Sequence, residues 1–160
     1  MNNTKNFTLS DVDTMTSLID AIFSEMNIGL LIYQMEDLNQ ASSLKLVYAN
    51  RQASKYTGVD LSQQIGKPIL TVFPSLAATD LPQIFVEVIN TKQSRTIGAM
   101  EYRDENVQKG YFASKAFPMP NHCVGVLFEN ITLRKRMEEM IRHEKGQLEQ
   151  NKNNVTVSTI

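Results

Sequence analysis

The 160-residue chain carries a formal net charge of −1, with 42% hydrophobic and 21% charged residues. That balance describes an ordinary globular domain and gives no electrostatic reason to expect nucleic acid or an anionic membrane as partner. The polar start, Met1-Asn2-Asn3-Thr4-Lys5-Asn6, lacks the layout of a signal peptide, and no apolar run approaches a membrane span, so the expected location is the cytoplasm. With a single cysteine, Cys123, and two histidines in different elements, no metal-ligand spacing exists.

Residues 1–10 are expected to be disordered. Ser10 and Asp13 form a capping-box-like start to an amphipathic helix over 11–27. Val12, Met15, Ile19, Ile22 and Met26 recur along it at alternating three- and four-residue spacing, a stripe that something must cover. Ile28–Met35 and Leu44–Ala49 read as strands. Asn50 caps a short helix over Arg51–Thr57, and Gly58 supplies its stop. A further helix is expected at Leu81–Thr91, with Ile84, Phe85, Val88 and Ile89 on its apolar face. Three strands follow, Ser94–Tyr102, Gly110–Phe117 and His122–Glu129, separated by turn chemistry. A charged helix is expected over 132–150, then a disordered tail over 151–160. An early strand pair and a late strand trio around short helices predict an α+β domain with one antiparallel sheet.

Four segments in order carry a family likeness. "LVYANRQASKYTG" (Leu46–Gly58), "IGKPILTVFPS" (Ile65–Ser75), "GYFASKAFPMPN" (Gly110–Asn121) and "FENIT" followed by "RKRMEE" resemble the PAS domain over about Ile28 to Glu139. The resemblance implies a five-stranded antiparallel sheet spanning 28–131, short helices on one face, and a signalling helix leaving the last strand. It also implies a sensing and dimerisation role in signal transduction. The alternatives are a ligand-free interaction adaptor, or a PAS piece of a larger sensor kinase or diguanylate cyclase.

The family usually has Asp where this chain has Asn130, and that Asp pairs with a basic residue of the outgoing helix. Asn brings no charge, so coupling at the junction Glu129, Asn130, Thr132 and Arg134 is expected to rest on hydrogen bonds or on Glu129 with Arg134. Thr132 is the expected N-cap of the helix.

Neither flavin nor haem is expected. The central helices hold no Cys for covalent flavin chemistry, and "LPQIFVEVINT" has no His for a haem iron. No nucleophile elbow, phosphate-binding glycine loop or carboxylate pair appears, so no enzyme activity is expected.

Two readings of the interior remain, a pocket for a small organic ligand or a core filled by the same side chains. Strand alternation turns Gly98, Met100, Tyr102, Phe112 and Ser114 inward, and the resemblance implies that they lie opposite Phe73, Phe85 and Ile89. The outward Tyr111, Ala113 and Phe117 are apolar enough to receive the N-terminal stripe, on the chain's own sheet face or on a partner's. The expected partners are a homodimer mate and an output protein such as a histidine kinase.

Overall fold

The computed structural model describes the backbone of residues 12–104 and 107–157, and side chains over 13–101 and 110–155. The disorder expected of residues 1–10 and 158–160 therefore concerns positions outside the described residues. Helix α1 (Val12–Glu25) leads into strands β1 (Gly29–Met35) and β2 (Leu44–Ala49). Helices α2 (Arg51–Thr57), α3 (Ile69–Val72) and α4 (Leu81–Thr91) follow, with single 3-10 turns between them. Strands β3 (Arg95–Asp104), β4 (Val107–Met119) and β5 (Cys123–Asn130) complete one antiparallel sheet in the order β2-β1-β5-β4-β3, and α5 (Thr132–Val157) ends the described chain.

The core lies between the inner sheet face and α2 to α4. Alternation along β1 sends Leu31, Tyr33 and Met35 inward, where they meet Leu44 and Leu46 of β2 and Phe85, Val88 and Ile89 of α4. The helix start at α2 is fixed by Asn50, whose Oδ1 accepts from Ala53 N at 2.9 Å and from Leu30 N at 3.0 Å. Its Nδ2 donates to Ile28 O at 2.9 Å, so one side chain ties α2 to β1. Gly58 ends α2 at φ 73°, a left-handed conformation open to glycine.

Helix α1 ends differently from the sequence reading, which carried it through residue 27. Asn27 takes the left-handed position at φ 54°, and Ile28 N donates back to Phe23 O at 3.1 Å, closing a Schellman-type cap. Its contacts run to α2 and β1, and its Asp20 accepts a hydrogen bond from Tyr48 of β2. Desolvation first, then the bond to Asp20 and its charge, push the Tyr48 phenol well above the usual tyrosine range.

Three corrections concern element limits. Strand β4 continues through Pro118, which pairs with Val124, instead of ending at Phe117. The β3 pairing with β4 begins at Arg95 opposite Ala116, so Pro118 lies where that edge has no ladder to lose. Strand β3 is bulged between Ile97 and Met100, so both face the core, while Gly98 and Ala99 are exposed. The alternation that placed Gly98 inward fails at this extra residue. Lastly, α5 runs to Val157, about 39 Å at 1.5 Å per residue. Gly146 and the Asn-rich segment weaken helix propensity without breaking it, because the stretch contains no proline. Residues 151–157 are therefore helical where a disordered tail was expected.

Candidate functional site

A cavity of about 100 Å³ opens between the sheet and the helices. Its floor is sheet: Leu31 and Tyr33 of β1, Ile97 and Met100 of β3, Phe112 and Ser114 of β4, and Val126 and Phe128 of β5. Its roof is Thr57 at the end of α2, Phe73 and Leu76 from the turn after α3, and Leu81 and Phe85 of α4. The β3 bulge matters here, because it brings Ile97 and Met100 together on the same wall.

Of the expected pocket residues, Met100, Phe112 and Ser114 from strand parity and Phe73 and Phe85 from the family resemblance line this cavity. Ile89 is buried in the core but is not part of the wall, and Gly98 is turned out by the bulge. Tyr102 lies in β3, and its side chain is outside the described residues.

Sequence reasoning missed Tyr33 and Thr57. Tyr33 had a legible signal: it is the one residue with a polar tip on the buried parity of β1. Its ring stacks on Phe85 with centroids 5.8 Å apart and planes at 19°. The residue is 1% exposed, and burial alone pushes its phenol well above the usual tyrosine range, which keeps it a neutral hydroxyl. Thr57 satisfies its hydroxyl within α2 by donating to Ala53 O at 2.9 Å. The hydroxyls of Tyr33 and Ser114 have no hydrogen-bond partner among the described residues. Every other side chain of the wall is apolar, and none is an acid or a strong base.

Two of the wall residues sit against the exit to α5. Phe112 packs edge to face on Phe128, with centroids 5.8 Å apart and planes at 72°. Phe112 is also the register partner of Asn130, the last residue of β5. Tyr111, next to Phe112, grips the junction twice: its carbonyl accepts from Ile131 N at 2.9 Å, and its N–H donates to Thr132 Oγ1 at 3.0 Å. Ile131 itself is buried at 2% exposure.

Thr132 is the first residue of α5 and not its cap. Asn130 provides the capping oxygen: its Oδ1 accepts from Thr132 N at 3.0 Å and from the Thr132 hydroxyl at 2.6 Å. A neutral carboxamide oxygen thus holds the first residue of α5 through two hydrogen bonds. Arg134 and Lys135 both face Glu138, at 3.9 and 3.6 Å, so the junction rests on hydrogen bonds and not on Glu129 with Arg134. Those exposed pairs stabilise the helix only slightly.

The expected dimer residues are split. Ile22 and Met26 are each 56% exposed, and Leu18 extends their line at 41%. Met15, Ile19, Tyr111 and Phe117 are half-buried. Val12 begins α1, and its side chain lies outside the described residues. Phe117 folds its ring across Gly125 of β5, partly covering the outer sheet face by itself. Cys123 is half-buried, and burial pushes its thiol up. No helix among the described residues is long and apolar enough to cross a membrane.

No family model and no curated protein matches the sequence. Solved structures do. An RNA-binding light-oxygen-voltage receptor superposes with a TM-score of 0.58 at 11% identity over 94% of this chain, which spans 42% of that receptor. The PAS domain of a Colwellia psychrerythraea protein gives 0.54 at 13% identity, covering 74% of this chain and 98% of that one. The chain has the PAS fold. A domain of a sensory box sensor histidine kinase/response regulator from Geobacter sulfurreducens gives the same TM-score at 10% identity, over 76% of this chain and 99% of that one. With the PAS sheet as reference, the cavity lies on its helix-covered face, and α5 leaves from its central β5.

Proposed function

We propose that this PAS domain is a sensor: a small molecule enters the cavity, and the rearranged wall alters how α5 is anchored. The observation that carries this reading is the shared use of Phe112 and Phe128. Both line the cavity, and both lie within two residues of Tyr111 or Asn130, which hold the start of α5. A shift of either ring is passed along a short, hydrogen-bonded path with no loop to absorb it. The sensor histidine kinase/response regulator domain of the same fold is consistent with this role. The reading is of a binding domain and not an enzyme, since the wall offers no acid or base that titrates near neutrality. It also favours a ligand smaller than flavin or haem, because drug-sized ligands occupy pockets of roughly 300 Å³ or more.

Filling the cavity covalently tests the relay without knowing the ligand. Ser114→Leu is expected to occupy the space and change amide exchange at Ile131, Thr132 and Lys135, whose N–H groups bond across the junction. Exchange identical to wild type at all three would count against the relay.

A second copy is the proposed partner. Leu18, Ile22 and Met26 lie four residues apart on one line of α1, and all three are exposed. Light scattering at high concentration is expected to show a dimer, and Ile22→Asp to return it to monomer. A wild-type protein that stays monomeric would remove this part of the reading.

A further inference from the structure

If the cavity takes a ligand, as the sensory reading holds, its wall narrows that ligand's chemistry. Among the described residues, no Lys, Arg, His, Asp or Glu lines it. A charged ligand would lose its hydration there and meet no counter-charge, so carboxylates, phosphates and ammonium groups are disfavoured. The volume of about 100 Å³ is of the same order as the roughly 150 Å³ apolar cavity that admits benzene. The wall is not wholly apolar, however. Tyr33 is 99% buried by its 1% exposure, lines the cavity, and has no hydrogen-bond partner among the described residues. No side-chain oxygen among the described residues is both fully enclosed and unpaired, so the Tyr33 hydroxyl faces the open space of the cavity, where water or a ligand must serve it. Ser114, half-buried on the β4 side of the wall, adds a second hydroxyl without a hydrogen-bond partner among the described residues.

We infer that the ligand is a neutral, largely apolar molecule about the size of a single ring, carrying one oxygen that hydrogen-bonds the Tyr33 hydroxyl. Hydrophobic contact with Phe73, Phe85, Phe112 and Val126 supplies the attraction. The oxygen selects among apolar candidates, because a ligand without it leaves Tyr33 unpaired.

Three probes of one ring size test this on the full chain: phenol, toluene and benzoate, titrated while the amides of Tyr33, Phe112 and Phe128 are followed by NMR. Phenol is expected to bind about tenfold more tightly than toluene, the worth of one neutral hydrogen bond, and benzoate not to bind. Tyr33→Phe is expected to leave the melting temperature of the empty protein unchanged or raised. The same variant should weaken phenol about tenfold while leaving toluene unaffected. Benzoate binding as tightly as phenol, or equal losses for phenol and toluene in Tyr33→Phe, would overturn the inference. So would three probes that leave the cavity amides unmoved. If in that last case Ser114→Leu still shifts the α5 junction, the ligand class falls and the sensory reading stands. If it does not, both fall.

Discussion

Asn50→Ala is expected to destabilise the fold by about 3–5 kcal/mol, read as a lowered denaturation midpoint at unchanged slope. Asn50 is 2% exposed and makes three side-chain hydrogen bonds, accepting from Leu30 N and Ala53 N and donating to Ile28 O. Alanine leaves two N–H groups and one carbonyl without partners, two of the three bonds being fully buried. Each unsatisfied buried group costs about 1–3 kcal/mol, and relaxation or water entry at Ile28 trims the sum. The lost cap at the start of α2 is part of this total, not an addition to it. Asn50→Asp keeps both acceptor bonds but turns a second carboxylate oxygen on Ile28 O, so it is expected to recover only part of the loss. A cost below about 1 kcal/mol for Asn50→Ala would mean that α2 is held to β1 by packing alone.

The second large effect is expected at Gly29. A Cβ there would lie 2.5–2.9 Å from the ring of Phe128, directly across the β1–β5 ladder. Phe128 cannot swing to solvent: it is 7% exposed and held edge to face by Phe112 and Tyr56. The open direction is the cavity that it lines. Gly29→Ala should therefore cost about 1–3 kcal/mol, in the range of overpacked cores, and shrink the cavity as well. Gly125 gives the contrast. Its Cβ would meet the Phe117 ring even more closely, at 2.2–2.7 Å, but Phe117 is half-buried on the outer face and free to turn away. The clash at Gly125 is shorter and the cost smaller. Equal destabilisation by the two alanines would mean that Phe117 is as confined as Phe128.

Most of the scaffold was legible because local chemistry and burial agree there. Asn50 and Gly58 bracket α2 at the residues that capping rules name, and β2 and α4 have the limits that the pattern gave. The failures have a common cause. A two-residue period cannot register a bulge, so Ile97 and Gly98 exchanged faces. Proline ends a strand where both neighbours need its N–H, and at Pro118 only β5 is paired. A hydrophobic pattern reports which residues are buried, and cannot separate a filled core from a cavity; Phe85 and Ile89 share a face of α4, yet only Phe85 reaches the space. The junction was legible only as two alternatives: without charge at Asn130, either hydrogen bonds or Glu129 with Arg134 had to hold it, and the structure has the hydrogen bonds. The double grip of Tyr111 was not, because backbone partners across 20 or more residues leave no trace in composition.

The central claim is that the cavity wall and α5 are energetically coupled through Tyr111, Asn130 and Thr132. Residue-resolved amide exchange on a double-mutant cycle tests it most directly. Thr132→Val removes the hydroxyl that accepts from Tyr111 N and donates to Asn130. Ser114→Leu alone is expected to change exchange at Ile131 and Lys135, and with Thr132→Val in place that response should fall by at least about half, the non-additivity of contacting groups. A response to Ser114→Leu of the same size in both backgrounds would contradict the account.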